Sequence, residues 1–352
     1  MRRALAYILF AAGLALAGEN TAPAAAWKMS HRLQAGWEQD SNVYEALSGP
    51  RSGQDLRLLY ELRAGGHRGS RTFRLGYRSG GQFYSGLSRE NKLIQEAEAG
   101  VELPLTPALR LGWTGYGRIK LFLKRGEDYA FGRGQLYLGL RLPARLLLKV
   151  GCSGEGLDYP GARFYDYSAP GLFLQLQRPV GGRFVVSGHA SLQRLHYRRS
   201  LYQMVSRNEA FPLRDAYQRD RIASGGLRVE ASWQGFLGQL GYRYEKSASN
   251  APGYDYGRSV LEASFVQQLA GWYFRGVLTL QKKQYRDNLY PFWPLQLDTE
   301  QEESNFLVAD LSRPLMERIE LILRAAWYRN ESPWANLYYR KRLLSFHFEL
   351  RI

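Results

Sequence analysis

The 352-residue sequence has few of the residues from which metal and redox sites are built. It contains one cysteine, Cys152, and five histidines. A single cysteine cannot form a disulfide within the chain, and it cannot supply the several thiolates of a structural zinc site. The sequence also carries no phosphate-binding loop, zinc signature or calcium loop. We therefore expect the protein to use no cofactor and no metal ion.

Long apolar runs are missing too, except at the N-terminus. Arg2 and Arg3 precede an apolar run over residues 4–17, and small residues follow at 24–26. This order of basic, apolar and small residues is typical of a secretory signal peptide. We expect residues 1–26 to be removed and residues 27–352 to form one domain. Beyond the signal, no stretch approaches the roughly 18 apolar residues that a membrane-spanning helix needs.

The apolar residues of the remaining chain recur with a period of two, most clearly in the hairpin 109–142. Alternate residues from Leu109 to Leu123 are apolar or glycine, and the residues between them are mainly basic, aromatic or small. Successive side chains of a strand point to opposite faces, so one face of this hairpin is apolar and the other polar. Such hairpins are typical of a transmembrane barrel with a lipid-facing outside and a wet inside.

About 16 segments of this kind, with 14–18 as the range, can be placed between Trp27 and the C-terminus. The mean hydropathy of −0.39 averages an apolar outside with a polar inside, and the 14% aromatic content suits girdles at the two membrane interfaces. We predict an all-β fold, a transmembrane antiparallel β-barrel in the bacterial outer membrane. Cys152 falls on the apolar side of its strand and is expected to face lipid.

The predicted connections alternate between short and long. Short turns of outer-membrane barrels face the periplasm and long loops face outward. The last ten residues alternate up to Ile352 and resemble the terminal strand that the barrel-assembly machinery recognises, although such strands most often end in an aromatic residue. The short connections are 65–70, 104–108, 179–182, 234–236 and 269–271, and the long ones are 38–54, 125–132, 153–169, 197–220, 248–257 and 286–304.

The formal net charge is +16. The basic residues are spread over most of the predicted strands and do not cluster on one helix or tail. This spread argues against nucleic acid as a partner. It fits a lumen that favours anions, or outer rims that bind outer-membrane lipids and lipopolysaccharide. The predicted lumen-lining residues, opposite the apolar face, are Arg57, Arg74, Arg78, Arg110, Arg118, Lys120, Arg141, Arg243, Arg275, Arg324, Glu96, Glu98, Tyr116 and Tyr137.

Two interpretations of these lumen residues stay open. The charges could select permeating ions, or each could stiffen the wall by pairing with an opposite charge. The tyrosines could form a stacking track for sugar rings or pack at the rim. We predict a passive, porin-like channel for small anionic or saccharide solutes. The sequence leaves open whether copies of the chain associate into a homo-oligomer.

The run GWEQDSNVYEA at residues 36–46 resembles a stretch that opens many outer-membrane barrels of the β-barrel porin type. It is also similar to the barrels of tetratricopeptide export proteins, including surface lipoprotein assembly modifiers. That resemblance implies an alternative function, an export pore for polysaccharide or surface protein that works with periplasmic partners. The helical-repeat domain that usually precedes those barrels is not found in the sequence, which favours a stand-alone barrel. Asp40, Ser41 and Asn42 alternatively form a strand-ending turn.

One pair of residues raises the question of catalysis. His189 and Ser191 lie two apart and project from the same face of a strand. Their spacing resembles the site of outer-membrane phospholipases and lipid A deacylases, in which histidine activates a serine nucleophile. In those families an asparagine tends to follow the serine, whereas Leu192 stands here. The pair also faces the predicted lumen, so we expect the protein not to be an enzyme.

Overall fold

The computed structural model describes residues 26–45, 48–124, 126, 128–206, 209–286, 304–330 and 339–352. The predicted signal peptide, apart from Ala26, lies outside the described residues. Sixteen antiparallel strands follow one another around a closed barrel, and β1 completes the circle by pairing with β16. The prediction of an all-β barrel of about 16 strands is confirmed. No helix in the described part of the chain is long and apolar enough to cross a membrane.

The strands of the barrel are 11 to 25 residues long, and their bounds are given below. The described connections contain two single-turn 3₁₀ helices, Ser88–Glu90 and Arg163–Tyr165. The strands are β1 (Ala26–Asp40), β2 (Gly53–Arg68), β3 (Arg71–Tyr84), β4 (Lys92–Pro104), β5 (Leu109–Phe122), β6 (Tyr129–Leu142), β7 (Leu146–Asp158), β8 (Tyr167–Val180), β9 (Phe184–Ser206), β10 (Glu209–Trp233), β11 (Phe236–Ser249), β12 (Tyr256–Leu269), β13 (Trp272–Tyr285), β14 (Ser304–Pro314), β15 (Ile319–Asn330) and β16 (Tyr339–Arg351).

The apolar side chains cover the outside of the barrel and the polar ones its inside. On β16, Phe346 and Phe348 are 42% and 49% exposed, whereas His347 between them is 1% exposed. So continuous an apolar exterior is unfavourable in water but stable in the hydrocarbon of a bilayer. A closed barrel also leaves no unpaired strand edge in the bilayer. Cys152 is exposed on this outer face, as predicted. The protein is a β-barrel of the bacterial outer membrane.

The seam between the first and last strands is fastened at the end of β1. The backbone N–H of Asn42 donates a 2.8 Å hydrogen bond to Asp40 Oδ1, which confirms the predicted turn. The N–H of Arg342 donates to Ser41 Oγ at 2.8 Å, and the amide of Asn42 donates to the carbonyl of Arg340 at 3.0 Å. This three-residue segment therefore ends β1 and also holds it against β16.

Tight turns lie at one end of the barrel and longer connections at the other. Several tight turns have glycines with positive φ, including Gly235 at 73° and Gly271 at 79°. In outer-membrane barrels the tight turns face the periplasm, so the longer connections mark the outer end. All five predicted short connections coincide with tight turns between strands.

The prediction of a long loop at 197–220 is wrong. Instead, β9 and β10 extend to 23 and 25 residues and form most of this segment. Their inward side chains are both apolar and polar: Leu195 and Tyr197 are buried in one cluster with Ile222, and Arg199 is buried with a hydrogen bond to Gln218. The outward side chains become polar there, because beyond the bilayer no lipid requires an apolar face. That change removed the alternation by which the sequence identified strands.

Candidate functional site: the charged lumen

The fourteen predicted lumen residues all lie on the inward face of their strands. Arg57, for example, lies between Leu56 and Leu58, which point outward and are 49% and 43% exposed. The same alternation applies to the other thirteen positions. Their placement follows the prediction, and their part in selecting solutes stays a prediction.

Glu102 on β4 is the centre of the first lumen cluster, which extends from β3 to β7. Tyr137 donates its phenolic hydrogen to Glu102 Oε1 at 2.7 Å. Three cations approach the same carboxylate: Arg110 at 3.5 Å, Arg74 at 3.8 Å and Lys149 at 4.0 Å. One carboxylate with three cations leaves a surplus of positive charge. This group of five residues is called the Glu102 cluster below.

A glycine makes room for the tyrosine of this cluster. The register places Gly112 on β5 directly between Glu102 and Tyr137, on the intervening strand. A Cβ at Gly112 would occupy the space of the Tyr137 ring. Because glycine has no side chain, the ring lies across β5 and reaches the carboxylate two strands away. The same arrangement recurs at the seam, where a Cβ at Gly36 would overlap the His347 ring.

Glu96 on β4 is the centre of a second cluster. It accepts a 2.8 Å hydrogen bond from Tyr116 and lies 2.9 Å from Arg78 and 3.0 Å from Arg118. Arg78 also lies 3.8 Å from Glu61 on β2. The cross-strand chain of charges thus fixes these guanidinium groups against the wall, while Arg78 keeps 47% of its side chain exposed to the lumen.

The opposite wall repeats the pattern with an aspartate. Arg324 donates two hydrogen bonds to Asp310, of 2.7 Å and 3.0 Å, in the bidentate geometry that makes such pairs strong. Arg275 lies 4.0 Å from the same carboxylate and is 58% exposed. Near the seam, Arg57 pairs with Glu38 at 3.3 Å. Asp310 is therefore also outnumbered by the cations around it.

Glu245 on β11 is a fourth acidic centre. Arg258 and Arg243 lie 3.0 Å and 3.5 Å from it, and Tyr256 donates a 2.7 Å hydrogen bond to it. The remaining predicted residues share the face without joining these four centres. Lys120 Nζ lies 5.1 Å from the ring centroid of Phe122, and Glu98 and Arg141 lie on β4 and β6.

Cations lie over the faces of several inward tyrosines. A cation within about 6 Å of a ring centroid is attracted to the negative face of the ring. A ring covered in this way offers less of its face to a sugar. The pairs, with distances to the centroid, are Lys149 with Tyr137 (4.6 Å), Arg199 with Tyr197 (4.1 Å) and Tyr254 (5.0 Å), and Lys283 with Tyr256 (4.4 Å) and Tyr285 (5.6 Å).

The predicted set of lumen residues missed three of these cations. Lys149 stands between the outward residues Leu148 and Val150, and the same period of two would have placed it inside. Arg199 fell in the segment wrongly predicted as a loop. Lys283 alternates with the outward Lys282, so the apolar pattern gave no signal for it.

The candidate catalytic pair is not assembled. Ser191 Oγ shares a 2.8 Å hydrogen bond with Ser224 Oγ on β10, while the ring of His189 lies beside Gly226. In the described part of the chain, Ser191 has no hydrogen bond to His189. A second His–Ser pair does form a contact: His347 Nε2 lies 2.8 Å from Ser345 Oγ. That pair is 1% and 7% exposed, so it is closed to a substrate.

Comparison with known protein families and with curated proteins finds no match. Several solved outer-membrane structures are similar in fold. OccAB3 of Acinetobacter baumannii is 9% identical with a TM-score of 0.47, over 93% of this chain and 100% of that one. OccK2 (OpdF) of Pseudomonas aeruginosa is 12% identical with a TM-score of 0.45, over 93% and 98%. A bacterial polysaccharide outer membrane secretin is 10% identical with a TM-score of 0.42, over 92% and 98%.

Proposed function

We propose that this outer-membrane β-barrel is a passive, porin-like channel that favours small anions. The observation that carries the proposal is the Glu102 cluster, in which Arg74, Arg110 and Lys149 share one carboxylate. Glu96 and Asp310 repeat the surplus, each with two cations within 4.0 Å. The carboxylates orient the cations along the wall without cancelling their charge.

A surplus cation on a lumen wall biases permeation by simple electrostatics. Two unit charges 4 Å apart interact by about 1 kcal/mol in water and by about 4 kcal/mol at an effective dielectric constant near 20. Since 1.4 kcal/mol corresponds to a tenfold change in an equilibrium constant, a few such cations suffice to enrich anions over cations in the lumen. Exposed groups such as Arg74, with 64% of its side chain accessible, are placed to act on the solute.

Among the two solute classes expected from the sequence, the tyrosine contacts favour anions over neutral saccharides. A sugar track needs ring faces that are open to the lumen. Tyr137, Tyr197 and Tyr256 instead have Lys149, Arg199 and Lys283 over their rings. A cation held over an aromatic face presents its remaining donors to an anion.

Planar-bilayer recording of the refolded mature protein, residues 27–352, tests this function. We expect a steady open current and, in a KCl gradient, a reversal potential of the sign set by chloride. The preference should weaken at 1 M salt, where the Debye length is about 3 Å. An open channel that prefers potassium would contradict the anion preference. A barrel that stays closed would contradict the passive channel and direct the work to a gated export pore.

A matched pair of variants locates the selectivity. Replacing Arg74, Arg110 and Lys149 by glutamine should move the reversal potential toward that of a cation-selective channel. The control variant replaces Arg145, Arg178 and Arg183 by glutamine; these are exposed cations near the tight turns, outside the lumen. It removes the same charge and should leave the reversal potential unchanged. Equal shifts in both variants would show that total charge, and not the Glu102 cluster, sets the preference.

A further inference from the structure

Strands β9, β10, β11 and β13 carry outward cations along the outer edge of the apolar band. Arg194 lies on β9, Arg221 on β10, Lys246 on β11 and Lys282 on β13, and all four are exposed. Each lies two residues further toward the outer end than an apolar residue or tyrosine on the outer face of the same strand. Those preceding residues are Leu192, Ala223, Tyr244 and Leu280. The cations therefore border the level at which lipid head groups meet hydrocarbon.

Two of these cations face each other directly across a strand ladder. The register opposes Arg194 to Arg221, and one step further out it opposes His196 to Arg219. Facing side chains of an antiparallel pair have Cβ atoms about 4.5–5.5 Å apart, and like charges placed so destabilise the pair. An anion bound between the two arginines would remove this repulsion.

The protein itself supplies no such anion in the described structure. Among the outward positions of β9 to β13 whose side chains are described, none is aspartate or glutamate. Arg194, Arg221, Lys246 and Lys282 form no ion pair with any described residue. The neighbouring loop does offer a carboxylate, but Asp166 is paired with Arg198 at 3.1 Å. Within the described part of the chain, these four cations therefore have no counter-charge, and a bound anion would supply one.

We propose that this outer basic patch, made of Arg194, His196, Arg219, Arg221, Lys246 and Lys282, binds the phosphate groups of the glycolipid in the outer leaflet of the outer membrane. Phosphate suits the patch because arginine binds it through two parallel hydrogen bonds. Lipid suits the position, because the patch borders the apolar band at the end of the barrel that carries the longer connections. The proposal does not depend on which solute passes through the lumen.

The outward cations are unevenly distributed around the barrel, which argues against a general coating of charge: β15 and β16 also carry exposed arginines beyond the apolar band, at Arg329, Arg340 and Arg342, whereas β1, β2 and β4 carry none at the corresponding positions. On β1, β2 and β4 the corresponding outward positions beyond the apolar band are Gln39, Gln54 and Asn91. These uncharged side chains offer no electrostatic attraction to phosphate. The glycolipid should therefore be ordered beside β9 to β13 and exchange freely along β1 to β4.

Native mass spectrometry of the folded mature protein, residues 27–352, titrated with bisphosphorylated lipid A, tests the proposal. Changing Arg194, Arg221, Lys246 and Lys282 to glutamine should raise the dissociation constant at least about tenfold, because each basic residue near an anionic lipid surface strengthens binding. The control changes Arg145, Arg178, Arg183 and Arg318 to glutamine. These four cations are exposed at the tight-turn end, and their loss should leave the constant unchanged.

Further probes distinguish the source of the phosphate. Monophosphorylated lipid A should bind more weakly than the bisphosphorylated form, and phosphatidylglycerol should bind more weakly still. Folding of each variant is checked by heat-modifiable migration on gels. If the variant with four substitutions does not fold, the double variant Arg194→Gln, Arg221→Gln is used. Its dissociation constant for lipid A should be at least about threefold higher than that of the wild-type protein. Equal weakening in patch and control variants, or equal affinity for phosphatidylglycerol and lipid A, would overturn the proposal.

Discussion

Tyr137 reaches across an entire strand to donate its 2.7 Å hydrogen bond to Glu102. The hydroxyl is partly buried and its acceptor is charged, so the bond should contribute to stability. Tyr137→Phe keeps the ring beneath Lys149 and removes only this bond, which should lower the free energy of unfolding by about 1.5–3 kcal/mol. Urea unfolding in lipid vesicles, followed by tryptophan fluorescence, measures the change.

Tyr44→Phe is the matched control for that substitution. Tyr44 is 43% exposed in the connection between β1 and β2, at the outer end of the barrel. Loss of a hydroxyl at such a position should change the unfolding free energy by less than about 0.5 kcal/mol. Similar decreases of the unfolding free energy in the two variants would mean that the hydrogen bond to Glu102 does not stabilise the barrel more than an exposed hydroxyl does.

Glu102→Gln tests the charge of the same cluster. The glutamine has the same shape and can still accept the hydrogen bond of Tyr137, but it leaves Arg74, Arg110 and Lys149 without a counter-charge. We expect the reversal potential in a KCl gradient to move further toward that of chloride. Glu317→Gln, at an exposed position in the turn before β15, should not move it. A shift toward potassium in the first variant would contradict an anion-selective lumen.

The barrel could be predicted from the sequence because one physical rule acts on every strand. Lipid outside and water inside force apolar and polar residues to alternate, and the hairpin 109–142 already displays the rule. The inward placement of Arg74 or Tyr137 follows from the same parity. The rule fails where the lipid ends, which is why the extension of β9 and β10 was predicted as the loop 197–220.

The grouping of lumen residues around shared carboxylates could not be predicted in the same way. The alternation of side chains predicts that Glu102 and Lys149 are both inside, but β5 and β6 lie between their strands. Only the stagger of the strands brings the two charges to 4.0 Å. The stagger depends on the pairing register, which local sequence does not encode. The glycine at position 112, which lets Tyr137 cross β5, becomes meaningful only once the register is known.

The ion pair between Asp310 and Arg324 should be a main support of the β14–β15 wall. Asp310 is 7% exposed, so removal of Arg324 takes away both of its hydrogen bonds and leaves a charge with little access to water and only Arg275, at 4.0 Å, beside it. Arg324→Met should lower the free energy of unfolding by about 1.5–3 kcal/mol. Adding Asp310→Leu to that variant should restore most of the loss, because the buried carboxylate is removed and Arg275 is 58% exposed to water. Urea unfolding in vesicles measures both. A double variant no more stable than the single one would show that burial of the charge was not the cause.

Asp166, in the connection before β8, should make the outer loop sensitive to pH. Burial raises the pKa of this carboxyl above its ordinary value of 3.8, although the N–H of Tyr159 and the guanidinium of Arg198 counteract it. A raised pKa means that the folded loop favours the protonated form. Its stabilising contribution is therefore complete below about pH 3.8, and is lost as the pH rises through the raised pKa.

Hydrogen exchange of residues 159–166 tests this dependence. Protection, corrected for the intrinsic exchange rate at each pH, should fall as the pH rises from 4 to 8. Asp166→Asn should flatten the profile, because the amide oxygen can still accept from Tyr159 but carries no charge to lose or gain. Protection that rises with pH in the wild-type protein would contradict the prediction.

Gly36→Ala should weaken the seam that closes the barrel. Gly36 on β1 lies opposite His347 on β16, and an added Cβ would collide with the His347 ring and with the carbonyl oxygen of Phe346. The backbone oxygen cannot turn away as a flexible side chain would, so the strands must separate slightly. Overpacking of this kind costs about 1–3 kcal/mol. We expect a lower urea midpoint and a smaller fraction of heat-modifiable, folded protein.

Gly154→Ala, where nothing lies within 4 Å of the added carbon, should change neither. Adding His347→Ser to the Gly36→Ala variant should recover only part of the loss, because the contact with the Phe346 carbonyl remains; full recovery would assign the strain to the ring alone.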